Sequence, residues 1–483
     1  MTSTTQPELW EHQRKELDDH WDTPARALLW SMRTGKTRAV VEKADRLWTN
    51  GRIECVVVLA PNGVHSNWTL REIPKYSGLA STLAWSHPER NEPWFRSEMD
   101  RVCDERASAV HCYWLAVNSE ALQFADARKA IGRFIKGRKF LLVADESDDY
   151  GAPGSRRSLF ARSLARKAAY RMILSGTVVE DSPLKAFSQF EILEKSALGH
   201  ATAESFRDRY AEYGRARTKN GRSYPKLEGY RNLDELRDRM ARYSSVVLRS
   251  DCHDMPEMLR VERSYRPSKE QLLAYEELRQ ELSVTVDYDV TVTALEAAVR
   301  LVKFQQILSG YIIDNEGTVR DIPGPNPRLD VISSEVVLDP GQVIVACRFR
   351  EDVRRVTARL RSDGHEVVEY KGGMKASEKD HALDTFQAGK AKAIVLTPIR
   401  GLELSAADTV AWYSHSFWAM MRAQTDERAS KIGGTATTVV DLVARGVREG
   451  VDRYILDNQV GKRDVSEDLA RGGLKRVLEQ VRL

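Results

Sequence analysis

Short apolar runs alternate with amphipathic stretches through the first half of the chain, which predicts a parallel sheet built from β–α–β units. Residues 27–30 read as a strand, and 37–48 as a helix with Val40, Val41, Ala44 and Trp48 on one face. Residues 56–60 form an unbroken apolar run ending at Pro61, which suits a strand buried on both faces. Residues 113–117, 140–144 and 171–174 read the same way. From 183 to about 259 the strand pattern lapses, predicting a helical insertion over about 184–250. A second alternation follows, with strands at 343–346, 367–370, 393–396, 410–413 and 437–443 and helices at 351–361 and 377–386. The prediction is an α/β protein of two lobes, 1–258 and 259–483, with the boundary near 255–265. No internal repeat or low-complexity tract interrupts it.

At 483 residues the chain is too long for one core. A net charge of +4 is small for this length, so any nucleic-acid binding must come from local patches. The five cysteines are scattered without a Cys-x-x-Cys pair, which favours a reducing compartment over a disulfide framework or a zinc site. Asp251-Cys252-His253-Asp254 has the wrong ligand spacing for zinc. No apolar run approaches the ~20 residues that span a bilayer. Residues 1–7 lack the basic and apolar regions of a signal peptide. The expected location is the cytoplasm, with no membrane partner.

Three segments carry candidate chemistry: Met32-Arg33-Thr34-Gly35-Lys36-Thr37, Asp145-Glu146-Ser147-Asp148 and Ser175-Gly176-Thr177. Each follows the end of a predicted strand, and ligands of open α/β sheets bind beyond those ends. They should therefore meet in one crevice. Backbone N–H groups of a Gly-containing turn at a helix start bind anions. Thr34, Gly35, Lys36 and Thr37 would hold phosphates, with Lys36 reaching the β- and γ-phosphates and the Thr37 hydroxyl on Mg²⁺. Trp30 stands where the usual pattern has its first glycine. Asp145 would hold the metal and Glu146 would orient or deprotonate water. The competing reading of the acidic pair is an N-cap or a solvated acidic turn.

The ordered motifs resemble a superfamily 2 helicase or translocase of the Swi/Snf branch, in a compact, phage-type form. Leu9-Trp10-Glu11-His12-Gln13 resembles the N-terminal glutamine motif, which implies that Gln13 recognises adenine. Ala60-Pro61-Asn62 through Trp68 resembles motif Ia, associated with one DNA strand, and Leu174-Ser175-Gly176-Thr177 with Glu180-Asp181-Ser182-Pro183 resembles the coupling motif III. Tyr370-Lys371-Gly372 followed by Phe386 resembles the lead-in to motif V. Gly401-Leu402-Glu403-Leu404 through Asp408, then Phe417-Trp418, resembles motif V itself. Gln424-Thr425-Asp426-Glu427-Arg428-Ala429-Ser430-Lys431-Ile432-Gly433 resembles motif VI. The resemblance implies two RecA-like lobes, ATP and Mg²⁺ as cofactors, Gly401 at the nucleotide, and Arg428 and Lys431 completing the γ-phosphate site from the second lobe. Lys431 replaces an arginine, Arg33 a glycine, and Ser147-Asp148 an Ala-His, so the implied ATPase works but turns over slowly.

Nucleic-acid and coupling candidates are Ser66, Trp68, Asn118, Ser119, Ser175, Thr177, Arg348, Arg350, Lys371, Thr397 and Gln424. The basic run 207–222 reads either as a surface tracking a duplex backbone or as a solvated helical face or mobile loop. The first expectation is an ATP-driven translocase on duplex or branched DNA, serving replication or recombination proteins in a bacterial or phage-infected cell. Two others stay open: a strand-separating helicase on DNA or RNA, and an ATP-gated nucleic-acid clamp with weak turnover.

Overall fold

A computed structural model describes residues 8–62, 64–86, 88–104, 110–176, 182–217, 223–248, 251–252, 257–287, 294–314, 316–398, 402, 404–416, 419–429, 436–446, 450–457 and 459. The chain up to Cys252 forms one compact unit, and His253–Gly461 another.

The first unit is a seven-stranded parallel sheet. Its strands are β1 (Ala25–Trp30), β2 (Cys55–Ala60), β3 (Ala80–Ala84), β4 (Cys112–Asn118), β5 (Phe140–Ala144), β6 (Tyr170–Ser175) and a later β9 (Ser244–Val247). Their order is β3-β4-β2-β5-β6-β1-β9. Val57 and Leu59 of central β2 face one apolar layer and Val56 and Val58 the other, so alternate side chains fill two cores. That two-sided burial is why the run contains no polar residue. The 3₁₀ and helical segments between strands cover both faces, among them α1 (Glu11–His20) and α2 (Lys36–Thr49). Val40, Val41, Ala44 and Leu47 of α2 are fully buried.

The second unit carries a six-stranded parallel sheet of β10 (Met258–Tyr265), β13 (Gln342–Ala346), β14 (Val367–Tyr370), β15 (Ala393–Leu396), β16 (Ala407–Trp412) and β17 (Thr437–Ala444), ordered β10-β17-β16-β13-β15-β14. A small antiparallel pair, β11 (Tyr311–Ile313) and β12 (Val319–Asp321), lies outside it. These are the two RecA-like parallel-sheet lobes expected from the alternating pattern.

Between β6 and β9 the expected helical insertion holds helices Ala186–Leu193, Ala203–Tyr210 and Leu233–Ala241. It also holds an antiparallel hairpin of β7 (Ala211–Arg217) and β8 (Ser223–Tyr230), so 211–217 of the basic run is strand, 207–210 is helical, and 218–222 lies outside the described residues. Here charged and aromatic residues alternate about Gly214 and Pro225, and that polar period-2 pattern does not read as a strand by apolar content.

Asp45 on α2 accepts a hydrogen bond from Ser77 Oγ at 2.9 Å. Burial, opposed by that bond, pushes its carboxyl up to about 6 from 3.8. The native state therefore holds an extra proton between those values, so stability falls as pH rises through the window. Asp45→Asn is expected to flatten that decline, as measured by urea unfolding at about pH 4 and about pH 7.

Candidate functional site

β1 runs directly into the phosphate-loop segment, residues 31–35, and then into α2. Gly35 caps α2 with φ 79°, no side chain caps the helix, and no acid occupies its first turn. A Cβ at Gly35 would lie 2.0 Å from Gln13 Nε2 and displace that side chain, and the positive φ strains any other residue there. Arg33 adopts φ 60°, the left-handed backbone that explains why glycine would be the natural residue there. Lys36 Nζ donates to Trp30 O at 2.7 Å and Ser31 O at 3.2 Å, and Thr34 Oγ1 donates to Ser31 O at 2.7 Å. The loop thus wraps around the ammonium group, and no side chain caps the start of α2. That donor set fits a polyphosphate.

α1 clamps this loop. Gln13 Nε2 donates to Gly35 O at 3.0 Å while Gln13 Oε1 accepts from Trp10 N at 2.9 Å. His12 Nε2 donates to Thr34 O at 2.8 Å, and its ring packs edge-on against Trp30 at 4.9 Å. Burial lowers the His12 pKa despite the Thr34 bond, which keeps the ring neutral near pH 7. α1 is itself held by a buried bidentate pair, Arg26 to Glu16 at 2.8 and 2.7 Å. At its other end Lys43 Nζ donates to His20 O at 2.7 Å. Sequence reasoning gave His12 no role. Its position next to Gln13 was the available signal.

Asp145 and Glu146 close β5, whose neighbour β6 pairs in turn with β1, Leu29 opposite Ser175. Both carboxylates are nearly buried. Burial raises the Asp145 pKa, and three groups oppose it: the Trp68 indole, the Lys36 charge and the Glu146 backbone N–H. Trp68 Nε1 donates to Asp145 Oδ2 at 2.8 Å, and Glu146 N to Asp145 Oδ1 at 3.0 Å. Glu146 sits at φ 46°, turning the chain sharply after the strand. Ser147 Oγ donates to Gln189 Oε1 at 2.8 Å, tying this turn to helix Ala186–Leu193. Next to it, a Cβ at Gly176 would lie 3.0 Å from Met32 and 4.0 Å from Lys36 Nζ. Lys36, Asp145 and Gly176 are therefore brought together. Lys36 begins α2, and Thr37 follows it in the first turn.

Trp68 had been expected on DNA. It is 1% exposed, and its indole lies against Trp114. Its place is behind the acidic pair, where it orients the carboxylate expected to hold Mg²⁺. Trp68→Phe is expected to raise the Mg²⁺ concentration for half-maximal ATP turnover by about tenfold, with the maximal rate nearly kept. A Mg²⁺ titration of turnover checks this.

The remaining candidates lie as follows. Ser66 Oγ meets His65 Nε2 at 3.4 Å, and Asn118 Oδ1 accepts Ala121 N at 2.6 Å as the cap of the following turn. Ser119 and Ser175 are fully buried. In the second unit Arg348 Nη1 donates to Gln305 Oε1 at 2.5 Å, and Thr397 N donates to Tyr370 O at 3.1 Å. Lys371 pairs with Glu369 and, with Phe349, Arg350 and Arg354, lines a cavity of about 510 Å³. Gln424 is 2% exposed on helix Ala419–Arg428. That helix is fixed through Asp426, which accepts Trp412 Nε1 and Arg260 Nη2, each at 2.7 Å. Arg428 donates to Leu402 O. Thr177, Gly401 and Lys431 lie outside the described residues, as do Glu180, Asp181, Glu403, Phe417 and Trp418. Among the described residues no helix is long and apolar enough to cross a membrane.

Residues 328–433 match the helicase conserved C-terminal domain. The ATP-dependent RNA helicase DBP5 of Mycosarcoma maydis is 27% identical over 101 residues, 20% of this chain and 22% of that protein. The RNA helicase CrhR of Synechocystis is 35% identical over 120 residues, 24% of this chain and 23% of that protein. The chain thus spans less than a quarter of the length of these curated relatives. Among solved structures, the Sulfolobus solfataricus SWI2/SNF2 ATPase core in complex with dsDNA is similar at a TM-score of 0.43 and 18% identity, covering 96% of each chain.

Proposed function

We propose that this chain is a nucleic-acid-dependent ATPase of the superfamily 2 helicase type that hydrolyses ATP to move along or remodel duplex or branched DNA. The observation that carries the ATPase reading is the convergence of Lys36, Asp145 and Gly176 beyond the ends of adjacent strands. The helicase C-terminal match over 328–433 supports the nucleic-acid dependence. In this reading the N–H groups at Gly35 and the start of α2 bind phosphate, and Lys36 offsets its charge. Thr37 and Asp145 hold Mg²⁺, with Trp68 fixing the Asp145 carboxylate. Bound Mg²⁺ would neutralise the charge that develops on the phosphates. Glu146 orients the attacking water and accepts its proton. From α1, beside the loop that it braces, Gln13 would contact adenine.

The duplex-DNA assignment rests on the Swi/Snf-like motif set. A second reading, an RNA helicase, is favoured by the RNA helicases to which parts of the chain are similar. Steady-state ATP hydrolysis with duplex DNA, single-stranded DNA, forked DNA and RNA separates them. Stimulation by duplex DNA supports the first reading, and stimulation by RNA alone replaces it with the second. ATP-dependent DNA binding without turnover on any substrate would leave a clamp.

A further inference from the structure

The β7–β8 hairpin is a separate two-stranded sheet, paired from Ala211 opposite Tyr230 to Arg217 opposite Ser223. Two strands alone are marginally stable in water, and a hairpin that persists is braced or covered. Among the described residues, its braces lie at its root. Arg231 N donates to Tyr210 O at 2.9 Å, Asn232 Nδ2 to Arg209 O at 2.9 Å, and Tyr230 Oη to Ser182 Oγ at 3.0 Å. Tyr210 is fully buried, with its ring 4.6 Å from Phe206. Beyond the root, Tyr213, Arg215, Pro225 and Leu227 are all exposed.

The register sorts these residues. Tyr213 lies opposite Leu227 and Arg215 opposite Pro225, which places an apolar pair and a cation side by side on one face. A register shift between Glu212 and Tyr213 bends the arm where it leaves the body. Charge is graded along it. Glu212 and Glu228 stand at the root, the Glu228 carboxylate lying against Gly214, where a Cβ would meet it at 1.8 Å. Residues 215–226 carry five lysines and arginines and no acid. In a chain whose net charge is only +4, this is a concentrated positive stretch.

We propose that the β7–β8 hairpin is a nucleic-acid-binding arm, with Arg215 on a backbone phosphate and its Tyr213–Leu227 face against a base or sugar. Cations next to an exposed aromatic match a phosphodiester backbone with apolar bases, whereas a purely acidic peptide would leave the Tyr213 face unused. Ser182, which accepts the root hydrogen bond, follows Gly176 by six positions in sequence, and Gly176 lies beside Lys36. The assignment rests on the reading of the chain as a nucleic-acid-dependent ATPase.

The test is fluorescence anisotropy of labelled duplex and single-stranded DNA across a salt series, using the full chain and the variants Arg215→Ala and Tyr213→Ala. Unchanged melting temperatures would show that both variants fold. Arg215→Ala is expected to weaken binding and to reduce the slope of log K against log salt by about 0.7–0.9. Tyr213→Ala is expected to weaken it about tenfold without changing the slope. Wild-type affinity and slope in both variants would overturn the arm and leave the proposed function standing. Failure of the wild type itself to bind any nucleic acid would overturn both. Displacement of DNA by polyglutamate at equal charge concentration would mark the hairpin as a general polyanion surface and overturn the nucleic-acid assignment.

Discussion

Glu146→Gln is expected to lower ATP turnover by about 100-fold or more while leaving nucleotide binding nearly intact. The amide keeps the size of the side chain and one carbonyl acceptor, so the nearly buried turn after β5 should not rearrange. What it loses is the basic oxygen that takes the proton from the attacking water. Lys36→Ala should be as damaging, but by another route. The ammonium group is held by Trp30 O and Ser31 O within the phosphate loop, so its loss removes positive charge at the phosphates as well as a brace of the loop. The two variants should therefore separate. Glu146→Gln falls in kcat with nucleotide affinity kept, and Lys36→Ala loses both. Titration with a fluorescent ATP analogue beside steady-state hydrolysis measures the difference. A Glu146→Gln enzyme with wild-type kcat would remove Glu146 from its role.

The second large effect concerns stability, in the core of the second unit. Arg328 and Asp452 are fully buried and joined at 2.8 Å. The guanidinium lies over the Tyr265 and Tyr413 rings at 5.4 and 5.3 Å, and Asp452 Oδ2 also accepts Ala444 N at 3.2 Å. Burial works against the Arg328 cation, yet Asp452 and the neighbouring tyrosines outweigh it and hold its pKa above the ordinary value. Nearby, buried Asp352 accepts Tyr311 Oη at 2.9 Å and Ser414 Oγ at 2.6 Å. Ser414 Oγ in turn accepts Arg348 N at 2.7 Å, so the loops after β13 and β16 share this network. Asp452→Ala leaves a buried cation without its carboxylate and is expected to cost about 3–5 kcal/mol. Arg328→Met combined with Asp452→Leu removes both charges and should cost far less. Urea unfolding of the full chain compares them. Equal losses in the single and double variants would contradict this account.

The central strands were legible because burial on both faces demands unbroken apolar runs, as in β2 and β5. Of the edge strands only β14 was; β3, β9 and β10 were not. β3 reads Ala-Ser-Thr-Leu-Ala with only Leu83 buried, and β10 carries Arg260, Glu262 and Arg263 with only Tyr265 buried, because one edge lacks a partner strand. β9, four residues long, was lost in a segment read as helical. At the site, spacing after strand ends was enough to gather Lys36, Asp145 and Gly176. It could not reveal that Trp68 would turn inward to Asp145, a contact spanning 77 positions that depends on the path of the chain after β2. Nor could it show His12 and Gln13 bracing the phosphate loop, since that contact requires α1 to fold back along α2.

The central claim is that ATP turnover drives movement along duplex DNA. Displacement of a third strand from a DNA triplex tests it most directly, because the triplex strand can be removed without separating the duplex. The account predicts displacement that requires ATP and Mg²⁺ and is absent with Glu146→Gln. A third strand that stays bound while the wild-type chain hydrolyses ATP on the same DNA would contradict it.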